Sequence, residues 1–233
     1  MTLIAESGRA PVATIPVYVN ISFKVGLLAL VLFAFKGSLL WAAGWLYVWL
    51  FGAWCFANTY LLLTRNPGLL LKRILYAPDP APGPDRFFAR TNPLLAGCML
   101  AVCAYYPAWP QGWLWWCLRA AAFAGLAAAY LLATWALLSN TFALKAVLIQ
   151  PGQAPVRAGP YAYLRHPIYS AFLLFCACTP AVLGSFYGYL PAFAAAAGVA
   201  AHTRFEDGFL LEKLEGYREY AAAVRWTLVP WLW

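Results

Sequence analysis

LWWCLRAAAFAGLAAAYLLATWALL, residues 114–138, carries a single charge, Arg119, in an otherwise apolar run. A helix crosses a hydrocarbon core of about 30 Å with about 20 predominantly apolar residues, so this run is long enough to span a membrane. Comparable runs occupy residues 16–35, 39–63, 94–109, 168–184 and 187–203. None alternates apolar and polar residues with the period of two expected of a barrel strand, and lipid leaves only helices and closed barrels as spanning structures. The sequence therefore predicts an all-α, polytopic membrane bundle of five to six transmembrane helices, five if the short 94–109 segment is re-entrant.

Composition agrees. The 233 residues are 64% hydrophobic and 10% charged, with 12 Trp, 14 Tyr and 15 Phe, whereas a soluble domain carries about 25% charged residues. The net charge of +8 is explained by membrane topology rather than by nucleic acid. Twelve of the sixteen cations fall in three segments: Arg65, Lys72, Arg73, Arg86 and Arg90; Lys145, Arg157 and Arg165; Arg204, Lys213, Arg218 and Arg225. Lys and Arg in short loops mark the cytoplasmic side, which predicts that these segments and both termini face inward. The first 20 residues lack the basic region, short apolar stretch and small-residue cleavage site of a secretory signal, so the first run is expected to persist as a span.

Tight turns are expected at Gly37-Ser38, Pro110-Gln111-Gly112 and Gly184-Ser185 on the outer side, each closing a helical hairpin. Trp109, Trp113, Trp115 and Trp116 cluster at one of them, as interfacial anchors do. Alternating prolines at 78, 80, 82 and 84 predict an extended connector over 77–86. The six cysteines lie in apolar segments and read as small buried hydrophobes, and the Cys176–Cys178 pair lacks the neighbours a metal site needs, so no metal is expected. The chain reads as one membrane domain: an N-terminal hairpin over 1–63, a cytoplasmic loop over 64–93, and a core over 94–233.

Polar chemistry collects in two places. HTRFEDGFLLEKLEGYREY, residues 202–220, holds five of the eight acidic residues. His202 and Glu206 share a helix face at i, i+4, and Phe205, Leu210, Leu211 and Leu214 form an apolar stripe, so the last span is expected to continue into the cytoplasm as a helix. Ionisable groups where a helix leaves the bilayer tend to face a polar cavity, which singles out Glu206 and Asp207. The second place is GPYAYLRHPIYSAF, residues 159–172. There Gly159-Pro160 makes a turn, Pro167 suits the first turn of the next helix, and Arg165 and His166 are held between them.

These motifs resemble the isoprenylcysteine carboxyl methyltransferase family of membrane enzymes. SNTFALKAVLIQPGQAPVRAGPYAYLRHPIYSAF is similar to the family's N-x-F, V-x-I-Q, G-P-Y-x-Y-x-R-H-P-x-Y region. RFEDGFLLEKLEGYREYAAAVRWTLVPWLW is similar to its closing block of an acidic pair, L-x-G-Y-x-x-Y and V-R-x-x-L-V-P. A fainter likeness lies in RNPGLLLKR. Two differences stand out: Pro151-Gly152-Gln153 occupies a loop where the family often has R-G-H, and the acidic pair is Glu-Asp.

The resemblance implies S-adenosylmethionine as methyl donor, held in a cytoplasmic pocket of the C-terminal half, within 139–233. Gln150, Gly159, Tyr161, Tyr163, Leu164, Arg165, His166, Pro167, Tyr169 and Glu206 are its expected cofactor-binding residues, and Glu206, His166 and Arg165 the expected catalytic ones. The chemistry is consistent: Glu206 suits the donor's ammonium, Arg165 or His166 its carboxylate, and the tyrosines its adenine and sulfonium. The implied acceptor is lipophilic, enters from the bilayer among membrane lipids, and is of the prenylcysteine carboxylate type. A small thiol is the variant acceptor, and an NADPH-dependent reductase of the sterol-reductase kind the alternative enzyme. The implied location is a bacterial inner membrane or an endomembrane.

Overall fold

The computed structural model describes residues 14–75, 83–107 and 109–233. The sequence readings of the first 13 residues and of most of the proline connector lie outside the described residues. The described residues form eight α-helices: α1 (Thr14–Lys36), α2 (Ala42–Arg65), α3 (Pro67–Leu75), α4 (Pro84–Tyr105), α5 (Trp113–Ser139), α6 (Pro167–Leu183), α7 (Tyr189–Lys213) and α8 (Tyr217–Ala223). A short 3-10 turn covers Gly159–Ala162. The architecture is the expected polytopic helical membrane bundle.

Among the described residues four helices, α1, α2, α4 and α5, are long and apolar enough to cross a membrane. Of the other two expected spans, α6 is apolar but has 17 residues, and α7 runs on as a single helix into the charged segment ending at Lys213. That continuation was expected; the course of α4 was not. Instead of a short 94–109 run behind an extended connector, a 22-residue helix starts at Pro84, giving about 33 Å of length at 1.5 Å per residue. Pro84 at the first helical position and Asp85 in the first turn favour that start. Arg86, Arg90 and Asn92 had depressed the apparent hydropathy of turns that are helical nonetheless. The RNPGLLLKR segment likewise forms a helix, α3, which buries Leu69 and Leu70.

Packing pairs α5 with α6, α4 with α7 and α1, α6 with α7, and α1 with α2. Leu32, Tyr47, Met99, Leu126, Val182 and Leu183 meet in the core. Two polar contacts fix helix faces within it: the Tyr47 hydroxyl lies 3.2 Å from Thr179 Oγ1, and Trp54 Nε1 donates to Thr134 Oγ1 at 2.9 Å. Lipid supplies little hydrophobic drive between helices, so such bonds and close packing carry the specificity. The turns after α1 and α6 follow the sequence reading. Gly37 and Gly184 end α1 and α6 with positive φ, and Trp109 stacks on Phe186 at 4.6 Å, joining two of the turns.

On the opposite side, Asn66 links the α2–α3 junction to α5, donating from Nδ2 to the Leu137 carbonyl at 3.1 Å. Gly159 opens the 3-10 turn with φ +61, where an added Cβ would run into the Ser139 side chain and the Trp135 indole at the end of α5. We predict that Gly159→Ala lowers thermal stability in detergent by about 1 to 3 kcal/mol, the range for a non-glycine residue held left-handed. Gly152→Ala, at φ +71 but in open space, is expected to lose less, the difference reading the steric part.

Candidate active site

Arg165 and His166 are placed by the C-terminal segment. Their backbone N–H groups donate to the Trp226 and Thr227 carbonyls at 2.9 and 3.1 Å, and Ser170 Oγ donates to the Leu228 carbonyl at 2.6 Å. His166 stands at the N-cap position of α6 without a side-chain capping bond, and Pro167 occupies the first turn, where the sequence put it. Tyr220 of α8 reaches under this loop and donates its hydroxyl to the Tyr161 carbonyl at 2.8 Å.

The charged partner of this loop is Asp207. Arg165 Nη1 donates to Asp207 Oδ2 at 2.5 Å, and Arg165 Nη2 to Thr227 Oγ1 at 2.6 Å. His166 Nε2 lies 3.0 Å from Asp207 Oδ1, which also accepts the Tyr217 hydroxyl at 2.8 Å. Burial opposes ionisation of Asp207, but the hydrogen bonds of His166 and Tyr217 and the charges of His166 and Arg165 outweigh it and hold its pKa below the ordinary 3.8. Burial and the Asp207 charge push the Tyr217 phenol up, so it stays a donor.

Glu206 turns the other way. Its Oε2 accepts the Tyr169 hydroxyl at 2.5 Å, and its side chain is 23% exposed on the wall of a cavity of about 370 Å³. Of the residues expected from sequence, Tyr161, Arg165, His166, Tyr169 and Glu206 line this cavity. Gln150, Gly159, Leu164 and Pro167 are outside its lining. Tyr163 is too, standing 67% exposed. Gln150 instead braces the loop over the site: Lys72 Nζ donates to its Oε1 at 2.9 Å, and its Nε2 donates to the Phe142 carbonyl at 2.8 Å.

The C-terminal half supplies most of the lining, and α3 and α4 supply the rest, its polar and aromatic members being Arg73, Phe88 and Asn92. Sequence reading passed over these three because they precede the segment taken as apolar. Asn92 Oδ1 and Arg165 Nε are buried without a hydrogen-bond partner, although buried polar atoms are normally satisfied. Arg73, whose Nη1 donates to the Ala143 carbonyl at 2.5 Å, and Lys145 bring positive charge to the wall. Burial lowers the pKa of both, with the Arg73 charge adding to the effect on Lys145. Burial, reinforced by the Glu206 charge, pushes the Tyr161 phenol up to about 12. The site is thus a cavity with one carboxylate, neutral tyrosine donors and three cations, Arg73, Lys145 and Arg165, where the bundle meets its basic loops.

The isoprenylcysteine carboxyl methyltransferase family model matches residues 120–203. The chain resembles that family. The matched span runs from α5 through the Arg165–His166 loop to most of α7, the segments that build the back of the cavity. It supports a membrane methyltransferase. No curated protein matches the chain.

Asp207 makes the stability of this site pH-dependent. Its depressed pKa contributes stability that is fully present above the unfolded carboxylate value, about pH 4, and is lost as pH falls through the folded value. Asp207→Asn is expected to flatten that acid limb in thermal unfolding followed from pH 7 to pH 3. It should also cost roughly 1 to 3 kcal/mol at neutral pH, because Arg165 loses its counter-ion.

Proposed function

We propose that the protein transfers a methyl group from S-adenosylmethionine to a lipophilic acceptor, of the prenylcysteine carboxylate class. The observation that carries this reading is Glu206: an accessible carboxylate, oriented by Tyr169, in a cavity of ligand size at the end of a membrane bundle. Small-molecule sites run from about 300 to 1,000 Å³, and this one is about 370 Å³.

The residues present fit the donor. Glu206 and the unpartnered Asn92 Oδ1 are acceptors for an ammonium group. Phe88, Phe142, Leu148 and Ile168 offer apolar walls for a purine. The Arg165 guanidinium and His166 are engaged by Asp207, so the binding of a carboxylate passes to Arg73 and Lys145, with the free Arg165 Nε in reserve. Arg165 and His166 then act by fixing the wall rather than by touching the reacting atoms. Bound S-adenosylmethionine supplies an electrophilic methyl carried on a sulfonium.

An anionic acceptor needs no proton removed, so the cavity's work is alignment and exclusion of water; alignment is worth about 7 to 11 kcal/mol at best. The tyrosines stay protonated, and Glu206 serves as a binding group. The apolar faces of α4 and α6 beside the cavity suit an acceptor whose lipid part stays in the bilayer. The three basic segments support a cytoplasmic site in a single membrane domain, with both termini on that side.

Purified protein is expected to bind S-adenosylmethionine saturably in calorimetry, with affinity about 10- to 100-fold weaker in Glu206→Gln, the loss of one charge-assisted bond. Incubation of membrane extract with methyl-labelled donor is expected to label a lipophilic product. Binding of NADPH without binding of S-adenosylmethionine would overturn the reading.

A further inference from the structure

His202, on α7 one turn before Glu206, is 3% exposed, and neither of its ring nitrogens has a hydrogen-bond partner among the described residues. Its ring lies flat on Phe88, with centroids 3.9 Å apart and planes at 8°, and is met edge-on by Tyr169 at 5.7 Å. Packing thus fixes the ring plane and leaves the ring edge to find its partner. That edge faces two carboxylates on different helices. Nε2 is 3.7 Å from Asp85 Oδ1 on α4 and 3.9 Å from Glu206 Oε2 on α7. Both separations exceed hydrogen-bond length, which ends near 3.2 Å for N–H···O.

The surroundings narrow the choice of partner. Asp85 is fully buried and its Oδ2 accepts the Val147 N–H at 3.3 Å. Tyr169 on α6 already donates to the same Glu206 oxygen. His166, the other histidine of the chain, is committed to Asp207. A single Nε2–H donor closes on one carboxylate at a time, and a shift of under 1 Å brings it within reach of either. Neither His202 nor Asp85 lines the cavity; whatever they do for a ligand there passes through Glu206.

We propose that His202 is a two-position positioning residue for the cavity, its Nε2–H passing between Glu206 and Asp85 while the cavity is empty and held by Asp85 when Glu206 takes a cationic ligand. No proton leaves the imidazole; one hydrogen bond is exchanged for another. Asp85, in the first turn of α4, sets how readily Glu206 is released, coupling ligand binding to the position of α4. This inference rests on the methyl-donor reading for the identity of the cation, but the switch itself belongs to the empty protein.

Two readouts test it on the full chain in lipid nanodiscs. In the ligand-free protein labelled with ¹⁵N-histidine, the two histidines are told apart by His202→Gln. The His202 Nε2 resonance is expected to shift in both Asp85→Asn and Glu206→Gln. A resonance that ignores either substitution overturns the switch, whether or not any donor binds. In calorimetry with S-adenosylmethionine, Asp85→Asn is expected to weaken binding about fivefold, because His202 then stays on Glu206. That loss should vanish in a His202→Phe background, or in His202→Gln if the Phe variant does not fold. A merely structural Asp85 gives the same loss in both backgrounds, which overturns the proposal. Absence of donor binding by the wild type instead overturns the methyl-donor reading and leaves the resonance shifts to decide the switch.

Discussion

The site depends on one half-buried carboxylate, Asp207. It receives Arg165, His166 and Tyr217 together, so the entrance of α6, the C-terminal part of α7 and the start of α8 converge on two oxygens. Removing charged groups from water costs several kcal/mol each, and the cost is recovered only where geometry and hydrogen bonding are nearly complete. Asp207 meets that condition. Its satisfaction of Arg165 and His166 leaves the neighbouring Glu206 as the carboxylate open to the cavity. Two adjacent acids thereby divide the labour, one holding the wall and the other facing what enters.

That division was half legible in the sequence. The apolar runs gave the bundle, because lipid forces every backbone polar group into an internal bond and so makes hydropathy a strong signal. The fixed frame around Arg165 and His166 could be read from Gly159, Pro160 and Pro167. Which acid meets which partner could not. Successive residues on a helix point about 100° apart, so Glu206 and Asp207 were bound to face different neighbours. Choosing between them required knowing how α7 is rotated against α6, which only tertiary packing decides.

The contribution of α4 was hidden for a different reason. Its first turns carry Asp85, Arg86, Arg90 and Asn92, which read as loop on a hydropathy scale, yet Asp85 is fully buried and Asn92 nearly so. Polar residues buried at the end of a spanning helix are the ones most apt to face a cavity, and here Asn92 lines the one that Glu206 lines. Tyr163 failed in the opposite direction. It stands between residues that do line the cavity, but the loop turns its side chain outward, where it is 67% exposed. Membership of a motif is no guide to the direction of a side chain in irregular backbone.

The way the Arg165–His166 loop is pinned bears on the order of assembly. Its backbone N–H groups bond to carbonyls of Trp226 and Thr227, which follow every other wall of the cavity in the chain. Synthesis delivers residues from the N-terminus at about 5 to 20 per second, so the helical hairpins can be threaded into the bilayer while the cavity still lacks its clasp. A nascent chain stalled before residue 226 has the membrane body but not the pinned loop. Completion of the cavity is thereby tied to a late event in biogenesis, and a chain truncated in its final segment would be inserted with the loop unpinned.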